Sequence, residues 1–175
     1  MNVREYMTQT PEGCFELING LVREPPTPGY EHQSLSGNIY WNLRSFLNKT
    51  GLGIALIAPL DVVLDEKVVV QPDLLFILNI RKSIIKEKNI RGNPDLVIEV
   101  VSPSSIHHDT VTKKSLYEKY GIPEYWIVYP DEKIVDVFVL KNGKYKLQPE
   151  VNESGKLKSS VLKGFSIELK KIFTF

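Results

Sequence analysis

The 175-residue sequence has no long hydrophobic run and only one cysteine. Its longest apolar segments, such as 95–101, have the length of a strand, well short of the roughly 18 residues of a membrane-spanning helix. Cys14 alone cannot form an internal disulfide or build a cysteine-rich zinc site. The first residues show no hydrophobic stretch typical of a secretion signal. We therefore expect a protein of the reducing cytoplasm that does not span a membrane.

The sequence also lacks an excess of charge of either sign. It has 22 basic and 21 acidic side chains, for a net charge of +1, so its total charge does not indicate binding to nucleic acid. The charges are unevenly distributed: residues 1–78 hold 5 basic and 9 acidic side chains, whereas residues 79–175 hold 17 and 12. This asymmetry is compatible with a basic binding surface and equally with ordinary surface variation.

Hairpins are predicted near both ends of the chain. The dipeptide Asn-Gly, a strong signal for a two-residue hairpin turn, occurs at 19–20 and at 142–143. Strand-like residues flank both pairs. The sequence therefore predicts β-hairpins over 15–24 and 134–148.

Two helices are predicted between the hairpins. Apolar residues from Leu35 to Leu47 recur at helical spacing and predict a helix over about 28–50, with Thr27 as its cap. A second helix is predicted over about 108–120, where a polar and basic segment follows a loop.

Apolar, β-branched runs predict the remaining strands, which are 54–58, 60–64, 68–78, 96–101 and 125–129. Pro72 interrupts the third run, so we expect a bend or a sheet edge there. Several strands precede the middle helix, which favours an α/β sandwich with a mixed sheet over a doubly wound fold. A chain of this length can bury one core, so we expect a single domain over 1–175.

Two carboxylates stand out as candidates for chemistry. Glu99 interrupts an apolar strand, and burying a lone carboxylate is costly unless it is paired, protonated or bound to a metal. Asp73 follows Pro72 and lies 26 residues before Glu99, which is enough for the two to lie on neighbouring strands. Carboxylates that converge at strand ends favour Mg²⁺ or Mn²⁺. Without a metal site, Glu99 could be a glutamate at a strand edge that faces water, and Asp73 could be an ordinary turn residue after proline.

Lys113 could bring a cation to these carboxylates. It lies 14 residues after Glu99, on a helix that can return over the strand, and Tyr117 shares its helical face. Lys114 is turned about 100° away and is expected to point to solvent. The alternative is that Lys113 is itself an ordinary solvated lysine.

Glu31 is a candidate third acidic residue. It lies in the first turn of the first predicted helix, and its i+4 neighbour is the apolar Leu35, so it leans toward the core. It could bind a metal or support the ligands, or it could simply be a carboxylate favoured at a helix N-terminus. The adjacent His32 points about 100° away and is expected to be peripheral.

Several of these residues occur in segments that together resemble the Uma family of putative restriction endonucleases. Each segment is unspecific alone, but they follow one another in the same order through nearly the whole chain. The segments are Phe15–Gly20, Glu31-His32-Gln33, Pro59–Val62, Pro72-Asp73, Glu99–Ser104, Asp109 with Lys113 and Tyr117, and Gly121–Ile127.

The resemblance implies the PD-(D/E)xK, or restriction-endonuclease-like, fold, in which a mixed central sheet is flanked by helices and carries a metal site at one edge. Asp73 and Glu99 match the two acidic positions, and Glu31 matches the acidic residue of the first helix. Position 101, where the superfamily lysine is expected, is Val101. The resemblance suggests that the lysine has moved to the helix, at Lys113.

A mechanism follows from these assignments. Asp73 and Glu99, together with Glu31, would hold Mg²⁺ or Mn²⁺, which makes a bound water more acidic and polarises a phosphate oxygen. Lys113 would orient the nucleophile or neutralise charge on the phosphate.

Four residues are assigned supporting roles. Gln71 could position a water and Ser102 could hydrogen-bond near Glu99, although an ordinary loop hydroxyl is the better account of Ser102. Asp109 and Tyr117 belong to the motif that carries the lysine.

The sequence thus predicts a metal-dependent endonuclease that acts on DNA. The alternative is a non-catalytic member of the same fold that binds nucleic acid or a protein, which the near-zero net charge favours. We also expect a homodimer, because cutting a duplex takes two active sites or two events. The runs 125–129 and 134–140 are strongly strand-forming, and at least one of them is expected near a sheet edge that could pair with another chain.

Overall fold

The computed structural model describes residues 1–10, 13–151 and 155–174. A 3₁₀ helix spans Asn79–Ile84 and a π-helical turn spans His108–Lys113. The α-helices in the described ranges are α1 Val3–Gln9, α2 Tyr30–Thr50, α3 Lys114–Lys119 and α4 Leu169–Ile172. None of them has the length and hydrophobicity needed to cross a membrane.

The strands occur in groups between these helices and include both predicted hairpins, β1–β2 and β10–β11. In chain order they are β1 Glu16–Ile18, β2 Leu21–Arg23, β3 Gly53–Ile57, β4 Val62–Asp65, β5 Val68–Val70, β6 Leu74–Leu78, β7 Ile90–Arg91, β8 Leu96–Val100, β9 Glu124–Tyr129, β10 Ile134–Lys141, β11 Lys144–Leu147, β12 Lys156–Lys158 and β13 Ser166–Glu168. Asn19, Gly20, Asn142 and Gly143 all have positive φ, as the predicted two-residue turns require.

A mixed six-stranded sheet forms the centre of the molecule, in the order β11-β10-β9-β8-β6-β3. β8 and β9 are parallel, and the other neighbours are antiparallel. α2 packs on one face, where Leu35, Ile39 and Leu43 join alternate residues of the strands, such as Ile98, in one hydrophobic core. The predicted mixed sheet flanked by helices, typical of the restriction-endonuclease-like fold, is therefore confirmed.

The opposite face of this sheet is covered by α3 and by a second sheet. Leu116 and Tyr117 of α3 pack with Val97 of β8 and with Val62 and Val70 of the second sheet. That sheet has the order β2-β1-β5-β4-β7. Because strand side chains alternate between faces, Glu99 lies on the same side as Val97, beneath α3.

Pro72 marks the point where the chain passes from one sheet to the other. The run 68–78, in which a bend was expected at Pro72, is split there, with β5 in the five-stranded sheet and β6 in the six-stranded sheet. Proline has no N–H to donate to a ladder, so the break falls there. Asp73 is consequently the last residue before β6, at a junction between the two sheets.

Three local predictions are corrected by the structure. α2 begins after Gly29, not after Thr27. The second predicted helix starts as a π-helical turn, in which the backbone is wider than in an α-helix. The segments 125–129 and 134–140 form β9 and β10, and neither is the edge strand of the central sheet, because β11 lies beyond β10 and pairs with Phe138–Lys141.

Candidate active site

Asp73 and Glu99 face each other across two antiparallel strands. Leu74 of β6 pairs with Ile98 of β8, and continuing this register by one residue sets Asp73 opposite Glu99. The Val100 N–H donates to Asp73 Oδ2 at 2.8 Å, and the Asp73 N–H lies 3.4 Å from Glu99 Oε2. Glu99 is only 2% exposed, which excludes the alternative of an edge glutamate facing water.

Lys113 is buried beside Glu99. Its Nζ lies 2.9 Å from Glu99 Oε1 and 2.9 Å from Glu16 Oε1, with Asp109 Oδ1 at 3.7 Å. One helical turn later, the Tyr117 hydroxyl donates to the same Glu99 Oε1 at 2.7 Å. The lysine is therefore not solvated. It is a cation enclosed by carboxylates.

Lys114 does not point freely into solvent, as the sequence predicted. It is half-buried, and its Nζ lies 3.9 Å from the centre of the Phe138 ring, on β10. A cation over an aromatic face gains electrostatic attraction while its alkyl stem covers apolar surface. It has no ion pair with the site carboxylates among the described residues, so it remains a useful control for Lys113.

Glu16, which the sequence analysis did not single out, is the second partner of Lys113. It is 1% exposed, accepts a hydrogen bond from the Gln71 N–H at 3.1 Å, and lies 2.9 Å from His108 Nε2. The signal that identified Glu99, a glutamate within an apolar strand segment, was also present at Glu16. His108 gave no comparable signal.

His32, not Glu31, is the residue of α2 that reaches the carboxylates. His32 Nε2 lies 3.0 Å from Asp73 Oδ2, whereas Glu31 is not among the residues that line the cleft around Asp73 and Glu99. The buried face of α2 includes both Leu35 and Ser36. Counting back at about 100° per residue puts His32 near the middle of that face and Glu31 at its edge. The predicted placements of these two residues are both corrected.

The supporting residues are placed differently from one another. Gln71 lines the cleft, but its side-chain amide donates to Asp61 Oδ1 at 2.7 Å. The Ser102 hydroxyl bonds to the Ser105 hydroxyl at 3.1 Å, within its own turn, and not to Glu99. Thus Ser102 is the loop hydroxyl that its sequence context favoured. Asp109 and Tyr117 both lie beside the buried ion pairs described above.

The buried charges shift one another's pKa values. Burial alone would lower the pKa of Lys113, but Glu16, Glu99 and Asp109 outweigh it and raise that pKa well above its ordinary value. Burial would raise the pKa of Glu16, but Lys113 and the His108 hydrogen bond lower it to about 2. At neutral pH, Lys113 is therefore an ammonium that cannot accept a proton, and Glu16 is a carboxylate.

Glu99 behaves in the opposite way. Burial raises its pKa well above the ordinary value, and repulsion from Asp73, Asp109 and Glu16 adds to that rise, against the attraction of Lys113. One ammonium shared among several carboxylates does not fully stabilise the charge of Glu99. A further cation near this carboxylate would stabilise its ionised form.

The donor atoms fit a hard divalent ion that keeps much of its water. Among the described residues, Asp73 Oδ1 has no hydrogen-bond partner, and Glu99 Oε2 has only the long contact to the Asp73 N–H. The described ranges contain no group of three or more His, Cys, Asp or Glu side chains placed to hold a metal. Mg²⁺ commonly takes one or two carboxylates and completes its shell with water and phosphate oxygens.

The chain belongs to the Uma2 family, described as "Putative restriction endonuclease", whose model matches residues 3–170. Its fold is similar to that of a solved structure titled as a putative nuclease belonging to DUF820 from Anabaena variabilis ATCC 29413. The two have a TM-score of 0.82 and 18% sequence identity, over 99% of this chain and 97% of the other. No curated protein matches the sequence. The family membership confirms the resemblance drawn from the motifs.

The two neighbouring lysines should differ in their contribution to stability. Lys113→Ala leaves Glu16 and Glu99 buried without their cation, which should cost about 3–5 kcal/mol. Lys114→Ala loses a cation–π contact and should cost about 1 kcal/mol or less. Urea unfolding of both variants measures the difference, and equal losses would contradict the burial of Lys113 as described.

Glu16 should also make the free energy of unfolding depend on pH. Its pKa is lowered from 4.5 to about 2 in the folded protein, so its contribution is present above about pH 4.5 and is lost as the pH falls through about 2. The full effect is about 3 kcal/mol. Thermal unfolding of wild type and Glu16→Gln should show an advantage for wild type at pH 6 that shrinks toward pH 2. An advantage independent of pH would reject the paired carboxylate.

Proposed function

We propose that this member of the Uma2 family is an endonuclease that hydrolyses phosphodiester bonds of DNA with the help of Mg²⁺ or Mn²⁺. The observation that carries the proposal is the convergence of Asp73, Glu99 and Lys113 in one cleft, from a strand junction, a central strand and a π-helical turn. Two hard oxygen ligands beside a fixed ammonium suit a reaction in which negative charge develops on a phosphate.

Asp73 and Glu99 are the residues that would hold the ion. When bound, the ion supplies an acidified water and polarises a phosphate oxygen. The hydrogen bonds from Val100 N–H and His32 to Asp73 Oδ2 fix that carboxylate, and Tyr117 fixes Glu99. Preorganised ligands reduce the reorganisation needed at the moment of reaction.

Lys113 would act as an electrostatic group and not as a base. Its ammonium is held at neutral pH by the surrounding carboxylates, so it has no lone pair with which to take a proton from water. A buried positive charge close to the cleft would stabilise the negative charge that develops on the phosphate in the transition state. This refines the role drawn from the sequence, where the lysine could equally orient the nucleophile.

The alternative is a non-catalytic member of the same fold that binds nucleic acid or a protein. It is favoured by one observation: within the described ranges no three-ligand metal group is formed. The nuclease hypothesis and the binding-protein hypothesis assign different roles to Asp73. In the enzyme Asp73 is essential for metal binding and turnover, whereas in a binding protein it is a structural partner of Val100 and His32.

Both metal binding and DNA cleavage should depend on Asp73. We expect wild-type protein to bind Mn²⁺ in calorimetry and to nick supercoiled plasmid with that ion, because two carboxylates share it. Asp73→Ala should lose both activities. Asp136→Asn is the matched control, since Asp136 pairs with Tyr129 and does not line the cleft. Equal Mn²⁺ affinity in wild type and Asp73→Ala would contradict the shared site.

A homodimer remains part of the proposal for a reason independent of strand edges. The described part of one chain forms one cleft with these residues, so cutting both strands of a duplex takes two chains or two successive events. At micromolar concentration, light scattering should therefore give about twice the chain mass of 20.0 kDa. A mass near that of one chain would reject the dimer without touching the proposed chemistry.

A further inference from the structure

Lys113 is shared between two glutamates from different sheets. Its Nζ lies 2.9 Å from Glu16 Oε1 and 2.9 Å from Glu99 Oε1. Glu99 belongs to the central sheet, on β8, and Glu16 to the five-stranded sheet, on β1. All three side chains are almost completely buried, so solvent screens their interactions little.

The two glutamates differ in how their oxygens are used. Both oxygens of Glu16 are engaged: Oε1 with Lys113 and the Gln71 N–H, and Oε2 with His108. Glu99 commits only Oε1 fully, to Lys113 and Tyr117. Each oxygen of Glu16 is thus held by at least one close partner, whereas Glu99 Oε2 has only the 3.4 Å contact to the Asp73 N–H.

We infer that Glu16 is a positioning residue for the metal site: it shares the Lys113 ammonium, which would otherwise pair mainly with Glu99, so that Lys113 competes less with a divalent cation for the Glu99 carboxylate. The inference rests on the proposed function, because it concerns the metal affinity of the same cleft. It assigns Glu16 a role that acts through Lys113, without contact to the ion.

Fixed geometry makes Glu16 suited to this role. Glu16 lies on β1, and the next residue, Leu17, pairs with Val69 of β5. The backbone at Glu16 is therefore anchored in the second sheet. Its three partners hold the carboxylate on both sides. The Glu16 carboxylate therefore attracts the Lys113 ammonium from a fixed position. Without Glu16, the ammonium would keep Glu99 and the more distant Asp109 as partners, and it would compete more strongly with a metal for the Glu99 carboxylate.

The test compares Mn²⁺ affinity in wild type, Glu16→Gln and Glu16→Asp by calorimetry. Loss of a residue that orients and tunes a metal ligand typically lowers metal affinity by roughly 10- to 100-fold, and we expect a loss of that size in Glu16→Gln. Glu16→Asp keeps the charge and should recover most of the affinity. Equal affinity in wild type and Glu16→Gln, or equal losses in the Gln and Asp variants, would overturn the inference.

Glu124→Gln is the matched control. Glu124 is also fully buried, and it is held by Trp126 Nε1 at 2.7 Å and by the Ser160 N–H at 2.6 Å, away from the cleft lining. Its loss should lower thermal stability but leave Mn²⁺ affinity unchanged. If Glu124→Gln weakens Mn²⁺ binding as much as Glu16→Gln does, the effect is general destabilisation and the inference is wrong.

The double variant Glu16→Gln, Lys113→Met tests whether Glu16 acts through the lysine. The double variant leaves no unpaired charge at position 16, although Glu99 and Asp109 also lose the lysine as their cation. With the competing ammonium gone, Mn²⁺ affinity should return at least to the wild-type value. Affinity as low as in Glu16→Gln alone would overturn the inference.

The same experiment separates this inference from the proposed function. If wild-type protein binds no Mn²⁺, the proposed metal site is wrong and the role of Glu16 falls with it. If wild type binds Mn²⁺, and Asp73→Ala does not, but Glu16→Gln binds it as tightly as wild type, the metal site stands and only the role of Glu16 is rejected.

Discussion

The candidate site depends on one buried ammonium. Lys113 lies between Glu16 and Glu99, with Asp109 nearby, in a position where each carboxylate alone would be costly to bury. The lysine makes it possible to enclose these acidic groups in one cleft. In return, the carboxylates raise the pKa of Lys113 well above its ordinary value and keep the lysine charged. The contacts of the other site residues are arranged around this balance.

Three local features of the fold bring the charged side chains of the site together. The break at Pro72 ends one sheet and starts the other, and thereby sets Asp73 opposite Glu99. The π-helical turn brings Asp109 and Lys113 to the same cleft. The N-terminal hairpin, whose turn is specified by Asn-Gly, delivers Glu16 from the second sheet. The site is thus formed where the two sheets and the π-helical turn meet.

Much of this arrangement could be predicted from local sequence, because the signals are local. Glu99 was identified by its polarity within an apolar strand, and both hairpins by their turn residues. The N-terminal helix α1 was missed although Asn2 and Glu5 form a capping box, a signal that was available. Glu31 was preferred to His32 because only its i+4 neighbour, Leu35, was considered. Which side of α2 faces the core follows from all of its buried residues, and these place His32 on the buried side.

The role of Glu16 could not be predicted in the same way. Its contact with Lys113 joins residues far apart in the chain and depends on the pairing of β1 with β5, which no local pattern specifies. The π-helical turn is likewise a departure from the regular spacing on which helix prediction relies.

The Asp73 and Glu99 carboxylates, beside the shared Lys113 ammonium, are proposed to form a divalent-metal site. Anomalous diffraction from crystals soaked in MnCl₂ tests it most directly. We expect a manganese peak beside Asp73 and Glu99, with the Lys113 ammonium still between Glu16 and Glu99. A manganese ion bound elsewhere, or a cleft without an anomalous peak in crystals that bind Mn²⁺ at other positions, would contradict it.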